Sequence, residues 1–235
     1  LNSTRLPGKP LVDTGGYPLV VVTARNALSA RLVDDVFIAT DSEEIKEVVG
    51  KMGIKVIMTP SDCPSGTVRA IHAFLEGRLH HDWLVNLQCD EPMLTGTLLD
   101  LFIEDALLSC GERIEAPVAT ACSPLLPDDI HNPDAVKVII SRDGNFAVSF
   151  FRVMPHFPYP VAYKHVGIYA FHRSILQKIY NLGSRTVSQS ESLEQNEWMA
   201  AGIPVRVSLF RERLISIDTP QDLELYKKII SGSKD

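Results

Sequence analysis

Short apolar runs alternate with amphipathic stretches along the first half of the 235-residue chain. A short apolar run bounded by polar residues predicts a buried strand, whereas apolar positions three or four apart predict a helix. The predicted strands are 36–40, 55–58 and 83–88, and the predicted helices are 43–51, 68–79 and 97–108. Strands separated by helices in this way are typical of parallel βαβ units.

The second half of the chain shows a mixed pattern, in which several strands follow one another directly. The predicted strands are 114–122, 136–140, 146–150, 165–171 and 205–209, and the predicted helices are 174–180, 188–201 and 220–230. The polar segment 141–145 predicts a hairpin turn between two of these strands. Ser188 and Glu191 fit a capping box for helix 188–201, which Gly202 ends. A parallel half is therefore followed by a mixed half.

Two segments in the first half of the chain, 18–31 and 41–44, carry signals in addition to this alternation. The segment 18–31 carries conflicting signals, because its first apolar residues favour a strand and the rest favours a helix. Asp41, with Glu44 three residues later, fits a capping box for helix 43–51. The length suits a single α/β domain, or one domain with a small annex.

Composition and charge exclude several classes of function. The net charge of −6 argues against general nucleic-acid binding, which usually requires a basic face. No apolar run reaches the roughly 18–20 residues that a membrane span needs, so we expect no membrane partner. The four cysteines lie far apart and form no CxxC pair, which makes a zinc site improbable and indicates reduced thiols in the cytosol.

The first ten residues combine two cations with residues that break regular structure. Pro7 and Pro10 restrict the backbone, and Gly8 permits a positive φ. Arg5 and Lys9 lie on either side of Gly8. Such a loop can wrap a polyphosphate, because backbone N–H groups can approach it and the cations neutralise its charge. The alternative is an ordinary basic loop.

Ligands of open parallel sheets bind beyond the carboxyl ends of the strands. Asp90 follows the strand 83–88, and a carboxylate there suits Mg²⁺, which prefers one or two carboxylates with phosphate and water. Asp218 can supply a second carboxylate. The alternatives are that Asp90 caps the following helix and that Asp218 caps the last one. Residues 65–67 open a helix and can hold a base, ribose or phosphate, or simply cap that helix.

A set of short motifs, each weak alone, occurs in one order along nearly the whole chain. The motifs are Ser3-Thr-Arg-Leu-Pro-Gly-Lys-Pro10, Ala39-Thr-Asp41, Ser65-Gly-Thr67, Gln88-x-Asp-Glu-Pro92, Asn132-Pro-x-Ala-Val-Lys137, His165-x-Gly-Ile-Tyr169, Leu193-Glu-Gln195 and Asp218-Thr-Pro220. The chain thereby resembles the 3-deoxy-D-manno-octulosonate (KDO) cytidylyltransferases, also called CMP-KDO synthetases.

The resemblance implies a Rossmann-like nucleotidyltransferase fold of the α/β class. A mixed, mainly parallel central sheet would be flanked by helices, with a smaller sugar-binding and dimerisation subdomain. Residues 1–113 would form the CTP-binding half and residues 114–235 the sugar-binding half of one compact domain. The implied enzyme is a homodimer of the bacterial cytoplasm. It uses Mg²⁺ to transfer CMP from CTP to KDO, releases pyrophosphate and serves lipopolysaccharide synthesis. The resemblance also implies a helix within 18–31.

The same resemblance assigns roles to individual residues. Lys9, Asp90 and Asp218 would be catalytic, the two carboxylates holding the metal, and Arg5 and Lys9 would hold the triphosphate. The implied cytidine pocket consists of Thr59, Ser65, Gly66, Thr67 and Arg69. The implied sugar pocket consists of Gln88, Arg152, His165, Tyr169, Glu194 and Gln195. Arg152 is the candidate for the sugar carboxylate, because a guanidinium pairs with it in a bidentate way; the alternative is a surface arginine. Residues 165 and 169 share one face of a strand.

Several positions depart from the pattern of the family. Cys89 stands where a glycine is usual, Val68 where an acidic residue is usual, and Phe151 where a serine is usual; residues 196–197 also differ. These departures leave room for another acidic sugar, 8-amino-KDO or sialic acid, or for a nucleotide-binding paralogue with weakened activity. The resemblance also implies a strand and a Pro-Ala-Arg turn before Leu1. In that case the loop 2–10 is the second half of a site.

Overall fold

The structure, a computed structural model, describes residues 5–108, 116–153, 162–183 and 193–232. The chain divides into two compact units. The first unit is Leu1–Asp62, Leu87–Leu101 and Leu214–Asp235, and the second is Cys63–Asn86 and Phe102–Arg213. Each unit takes segments from both predicted halves of the chain. The predicted division into a CTP-binding half, 1–113, and a sugar-binding half, 114–235, stays a prediction.

Helices and strands alternate through the described ranges. The helices are α1 (Leu19–Leu28), α2 (Glu43–Gly50), α3 (Gly66–Glu76), α4 (Gly96–Ile103), α5 (Pro127–Ile130), α6 (Leu176–Leu182), α7 (Glu194–Ala200) and α8 (Pro220–Gly232). The strands are β1 (Phe37–Thr40), β2 (Lys55–Met58), β3 (Trp83–Leu87), β4 (Val118–Ser123), β5 (Lys137–Ile140), β6 (Ala147–Phe151), β7 (Ala162–His172) and β8 (Val205–Leu209). A 3₁₀ turn at Lys9–Leu11, another at Arg173–Ile175 and a π turn at Glu104–Leu108 complete the set.

A βαβ arrangement forms part of the first unit, as the alternating pattern predicts. Strands β1 and β2 pair in parallel, with Ile38 opposite Val56. Buried residues of α1 and α2, Val21 and Val49 among them, form one hydrophobic cluster to which both strands contribute. Burial of these apolar side chains, which water would otherwise hydrate, stabilises this part of the unit.

The segment 18–31 is helical, as the family resemblance implies. Helix α1 begins directly after Pro18, and Leu19 and Val21 are fully buried. Three consecutive valines disfavour a helix on propensity alone, because branching at Cβ restricts their rotamers. Burial of one face outweighs that preference, since most helical stability in proteins comes from packing.

Helix α2 begins at Glu43 as predicted, but its predicted capping residue is wrong by one position. Ser42 occupies the N-cap position, and its hydroxyl accepts a hydrogen bond from the backbone N–H of Ile45 (3.2 Å). Asp41 therefore does not form the predicted capping box with Glu44. Serine and aspartate are comparable N-caps, so the choice between neighbours falls to the backbone conformation.

The second unit contains a mixed six-stranded sheet in the described part of the chain. Its strands lie in the order β6-β5-β7-β4-β8, and β3 pairs with β7 as well. Strands β4 and β8 are parallel, whereas β7 pairs antiparallel with β4 and β5. Strands β5 and β6 form the hairpin predicted at 141–145, where the N–H of Ser141 donates to the carbonyl of Phe146 (2.7 Å). The predicted α/β class with a mixed sheet is confirmed.

The core of the second unit contains several large aromatic side chains. Phe150, Phe171 and Trp198 are almost completely buried in one cluster, together with Ile71 of α3 and Ile179 of α6. The rings of Phe171 and Trp198 meet edge to face, with centroids 5.3 Å apart. Such pairs add stability beyond the area that they bury.

Two helix predictions need correction. The helix predicted at 188–201 begins only at Glu194, because Leu193 has an extended backbone. The predicted capping residues Ser188 and Glu191 lie outside the described residues. The helix predicted at 97–108 changes from α to π geometry after Ile103. No helix in the described ranges has both the length and the apolar character to cross a membrane.

Helix α4 begins against the backbone at the end of α1. A Cβ atom on Gly96 would lie 2.7 Å from the backbone nitrogen of Ala30. We expect Gly96→Ala to lower the free energy of unfolding by about 1–3 kcal/mol, because added atoms at a close contact force the backbone to shift. Urea denaturation measures the change. Gly50→Ala is the matched control, because nothing lies within 4 Å of a Cβ there. Equal effects of the two substitutions would contradict the expectation.

Candidate active site

The loop that carries Lys9 is anchored in the first unit by Leu6. This leucine is buried with Leu19 and Ile217 in a small hydrophobic cluster. Gly8 has a φ of 67° and precedes the 3₁₀ turn, and the N–H of Leu11 donates to its carbonyl (2.8 Å). A positive φ costs glycine little because it lacks a Cβ. The loop geometry therefore determines where Lys9 lies.

Four charged side chains of the first unit meet at this loop. The Lys9 ammonium lies 2.5 Å from Oδ2 of Asp90 and 2.9 Å from Oδ1 of Asp218. The Arg5 guanidinium lies 3.0 Å from the same Oδ1 of Asp218. The Lys9 side chain is only 12% exposed, so water screens these interactions weakly. All three residues predicted to be catalytic are therefore in direct contact.

Two hydrogen bonds bring the segments of Asp90 and Asp218 together. The backbone N–H of Ile217 donates to the carbonyl of Asp90 (2.8 Å). The hydroxyl of Ser216 donates to Oε1 of Glu91 (2.7 Å), a carboxylate that is almost completely buried. Each bond joins a residue within two positions of Asp218 to Asp90 or to its neighbour Glu91. The spacing of the two candidate catalytic carboxylates therefore follows from the contacts around them.

Neither aspartate has the helix-capping role that the sequence left open. Asp222 accepts hydrogen bonds from the backbone N–H and the hydroxyl of Thr219 (both 2.8 Å), and the Thr219 hydroxyl accepts from the N–H of Asp222. This reciprocal pair caps α8. The hydroxyl of Thr95 lies 3.4 Å from the N–H of Leu98 at the start of α4. The carboxylates of Asp90 and Asp218 are thus not used as caps.

The pair of carboxylates fits a divalent cation. Both already converge on one positive charge, and Oδ1 of Asp90 is buried without a hydrogen-bond partner in the described structure. Carboxylate oxygens suit hard cations, and Mg²⁺ characteristically takes one or two of them. Within the described residues no group of three or more His, Cys, Asp or Glu side chains could hold a metal. Phosphate and water would have to complete the coordination.

Opposing effects act on the pKa of Lys9. Burial lowers it, because the charged form loses hydration, but the carboxylates of Asp90 and Asp218 raise it. The net shift is upward from the ordinary value of 10.5. Lys9 is therefore fully protonated at physiological pH. It acts as a fixed cation and not as a general base.

Two other predicted residues of the first unit, Thr59 and Gln88, follow the ends of strands. Thr59 follows β2 and is buried, and its N–H donates to the carbonyl of Thr40 (2.9 Å). Gln88 follows β3. Cys89 precedes Asp90, and the Thr23 hydroxyl donates to its carbonyl (2.8 Å). Burial of the Cys89 thiol, with a smaller contribution from Asp90, raises its pKa to about 12. The thiol is therefore a packing group at neutral pH and not a nucleophile.

The residues predicted for the cytidine pocket begin helix α3 of the second unit. Ser65 is its N-cap, and its hydroxyl accepts from the N–H of Val68 (3.2 Å). This role uses a lone pair and leaves the hydroxyl proton for a ligand. Gly66 opens the helix, with no atom within 4 Å of a Cβ, and Arg69 lies one turn later. Thr67 is buried and donates its hydroxyl proton to Oε2 of Glu194 (2.6 Å).

The residues predicted for the sugar pocket include a buried aromatic group. His165 and Tyr169 lie on β7 with stacked rings, their centroids 5.3 Å apart, and Gln195 donates to the Tyr169 hydroxyl. Thr120 gives its only hydroxyl proton to the carbonyl of Ile168 (2.7 Å), so it accepts from Nε2 of His165 (2.9 Å). Burial lowers the pKa of His165 to about 3. The ring is therefore neutral, with Nδ1 as its acceptor.

Arg152 lies directly after β6 at the surface of the second unit. Its Nη1 donates to the carbonyl of Pro133 (3.2 Å). One of the five N–H donors of the guanidinium is used in this bond. The position is compatible both with recognition of a carboxylate and with the alternative of a surface arginine.

Several residues of these networks were missed by the sequence reasoning. Thr120 is a polar residue in an otherwise apolar strand, and Ser216 lies between two isoleucines; such breaks in a pattern are a usable signal. Glu91 was part of a motif but had no role. No local signal pairs Ser216 with Glu91, because the partners lie 125 positions apart.

Comparisons with known proteins identify the family. The profile of a family described as Cytidylyltransferase matches residues 1–229. The chain belongs to this cytidylyltransferase family. A protein of Pelodictyon phaeoclathratiforme named 3-deoxy-manno-octulosonate cytidylyltransferase is 36% identical, covering 99% of this chain and 95% of that protein. A protein of Bdellovibrio bacteriovorus with the same name is 33% identical, covering 98% of this chain and 94% of that protein.

A solved structure supports the same assignment. A CMP:2-keto-3-deoxy-manno-octonic acid synthetase complexed with CTP superposes with a TM-score of 0.85 at 33% identity, covering 98% of this chain and 95% of that one. The protein is therefore a nucleotidyltransferase. Cytidylyltransferases of this kind generally use a divalent metal. The carboxylate pair of Asp90 and Asp218 is the group in the first unit that fits such a metal.

A metal ion bound by Asp90 and Asp218 would compete with the Lys9 ammonium for their oxygens. We expect Lys9→Met to bind Mn²⁺ about tenfold more tightly without nucleotide, a gain of about 1.4 kcal/mol, because the competing cation is gone. Electron paramagnetic resonance of free Mn²⁺ measures this affinity. Lys46→Met is the control, because Lys46 pairs with Glu43 on the exposed face of α2. Unchanged or weaker Mn²⁺ binding by Lys9→Met would rule out a shared site.

Proposed function

We propose that this cytidylyltransferase transfers CMP from CTP to 3-deoxy-D-manno-octulosonate, releases pyrophosphate and supplies CMP-KDO for lipopolysaccharide synthesis. The names of the Pelodictyon and Bdellovibrio relatives support the sugar, and the solved CTP complex supports the nucleotide. The observation that carries the proposal is the contact of Lys9 with Asp90 and Asp218. Nucleotidyl transfer needs this combination of a fixed cation and metal-binding carboxylates.

The reaction is a substitution at phosphorus. The C2 hydroxyl oxygen of the sugar forms a bond to the α-phosphorus of CTP and loses its proton to solvent. The bond from the α-phosphorus to the bridging oxygen of the β-phosphate breaks, and pyrophosphate leaves with that electron pair. Little covalent work remains for the protein, so positioning and charge neutralisation dominate catalysis.

The charged residues of the first unit have distinct tasks in this proposal. Lys9 and Arg5 bind the triphosphate, and their positive charge stabilises the charge that develops on the leaving pyrophosphate. Asp90 and Asp218 would hold Mg²⁺. Mg²⁺ prefers carboxylate oxygens as ligands, and the buried Oδ1 of Asp90 has no hydrogen-bond partner in the described structure. When bound, Mg²⁺ neutralises phosphate charge and lowers the pKa of the attacking hydroxyl.

The other predicted site residues have proposed roles in substrate binding. Thr59 and three residues at the start of α3, Ser65, Gly66 and Arg69, bind the cytidine. Because the Thr67 hydroxyl proton is used by Glu194, we assign to Thr67 a role in positioning that carboxylate. The sugar is bound by Gln88, Arg152, His165, Tyr169, Glu194 and Gln195. Neutral His165 can accept a hydrogen bond from a sugar hydroxyl but cannot pair with the sugar carboxylate, which leaves that task to Arg152.

The cysteine beside Asp90 does not require a strained backbone. In the described part of the chain, Arg78 is the non-glycine residue with a positive φ, so the conformation at Cys89 is open to any residue. The usual glycine is therefore not needed for backbone geometry at this position. Backbone strain at Cys89 is therefore not a reason to expect weakened activity.

A direct assay tests the proposal. With CTP, KDO and Mg²⁺ we expect pyrophosphate release by the wild type and a loss of more than 100-fold, about 2.7 kcal/mol in barrier, for Asp90→Asn. The loss follows because the amide is a poorer metal ligand. Asp128→Asn, on the exposed surface of α5, should retain activity. Activity of Asp90→Asn within tenfold of wild type would refute the metal assignment.

The same assay separates the alternative substrates. Faster release with 8-amino-KDO or sialic acid than with KDO would reassign the sugar while preserving the reaction. CTP binding without release for any acidic sugar would point to the paralogue.

We also propose that the enzyme works as a homodimer in the bacterial cytoplasm, where CTP is made. Multi-angle light scattering should give a mass twice the 26.0 kDa of this chain. A single-chain mass at micromolar concentration would contradict the dimer. The apolar residues Val148 and Leu209 are exposed on strands β6 and β8, and burial in a partner surface would remove them from water.

A further inference from the structure

The segment Asn132-Pro-x-Ala-Val-Lys137 has no role in the proposed reaction, yet it ends in an unusual lysine. Lys137 is the first residue of β5 and is completely buried, one of the largest fully buried side chains in the described ranges. Lysine is almost never fully buried unless its charge is paired or hydrogen-bonded. Burial of an ammonium is costly, so its partners at this position call for an explanation.

The ammonium of Lys137 connects two separate segments of the second unit. Its Nζ donates to the backbone carbonyl of Asn132 (2.6 Å) and to the backbone carbonyl of Arg152 (2.6 Å). Hydrogen bonds from a charged donor are about twice as strong as neutral ones. The lysine therefore ties the loop before β5 to the residue that follows β6.

Arg152 itself completes this connection. Its guanidinium donates to the carbonyl of Pro133, the residue next to Asn132 (3.2 Å). The backbone of Arg152 is thus held by Lys137, and its side chain is held by the loop that Lys137 also binds. The backbone and the guanidinium of Arg152 are therefore both oriented before a ligand binds. Preorganisation of this kind increases affinity because less conformational freedom is lost on binding.

We propose that Lys137 is a positioning residue that orients Arg152 to bind the carboxylate of the acidic sugar. The proposal rests on the proposed function and adds to it a buried residue that touches no substrate. The buried ammonium, which donates to the backbone carbonyl of Arg152, also adds positive potential to this part of the second unit, and positive potential favours an anionic ligand. Lys137 therefore affects sugar binding and leaves nucleotide binding alone.

The experiment compares Lys137→Met with a matched variant. Methionine has a similar length but cannot donate a hydrogen bond. We expect the KM for KDO to rise about tenfold, while the KM for CTP and kcat stay within twofold of wild type. Lys178→Met is the control, because the Lys178 ammonium also donates to a backbone carbonyl, that of Ala201 (3.2 Å), but is exposed. It should leave all three constants unchanged.

A double-mutant cycle shows whether Lys137 acts through Arg152. Arg152→Met alone should raise the KM for KDO, and adding Lys137→Met should raise it no further, because the residue to be oriented is gone. Additive effects would overturn the positioning role. Equal changes in the KM for KDO and CTP would also overturn it, because loss of general stability affects both substrates.

Two further outcomes keep this proposal distinct from the proposed function. If Arg152→Met leaves the KM for KDO unchanged, the assignment of Arg152 to the sugar fails before Lys137 is considered. If wild type releases no pyrophosphate with KDO, the proposed function itself fails. Lys137→Gln keeps a shorter donor and should give an intermediate KM. If neither Lys137 variant folds, as judged by circular dichroism, Lys137 is a core residue only and the proposal is overturned.

Discussion

The ammonium of Lys9 between the carboxylates of Asp90 and Asp218 is the interaction on which the first unit's site depends. Two carboxylates held close together repel each other unless a cation lies between them. Three segments far apart in sequence are joined at this point, and the partners of Lys9 lie 81 and 209 positions away. A triphosphate and a metal ion require cations and carboxylates that lie close together. The ion pairs of Lys9 already hold such groups together.

A different principle organises the second unit, where polar side chains are buried inside a hydrophobic core. Thr120 pairs with His165, Thr67 with Glu194, and Gln195 with Tyr169. Each hydrogen bond pairs polar atoms whose burial without a partner would cost about 1–3 kcal/mol, although Oε1 of Gln195 stays buried without a partner in the described structure. These hydrogen bonds make the side chains rigid, because a side chain that moved would break its hydrogen bond. His165 and Glu194, which we assign to the sugar, are therefore positioned by Thr120 and Thr67, which the proposal does not place against substrate.

The pairing also distinguishes contact residues from positioning residues. The Thr67 hydroxyl proton is used by Glu194, whereas the Ser65 hydroxyl keeps its proton although it caps α3. The hydroxyls of these two residues, two positions apart, therefore differ in whether the proton is available to a ligand. The buried lysine of the Asn132–Lys137 segment extends this logic to Arg152, whose backbone it holds.

Periodicity predicted the elements whose stability comes from their own pattern. The strands at 55–58 and 205–209 match β2 and β8 residue for residue, because a short apolar run bounded by polar residues has few alternatives. Capping residues were harder to predict than the starts of helices. Ser42 and Thr219 act as caps beside Asp41 and Asp218, and the choice between adjacent residues that can all act as N-caps depends on the backbone.

The amino-acid sequence alone determined the fold class, the family and most of the residues that belong to the candidate site, because local pattern and ordered motifs are properties of the chain itself. It also marked Lys9, Asp90 and Asp218 as chemically suited to nucleotidyl transfer. Only the tertiary structure decided that these three side chains touch, that neither aspartate is a helix cap, and that Lys137 holds Arg152. Hydrogen bonds and ion pairs between distant segments depend on atomic positions, and those positions exist only once the chain has folded.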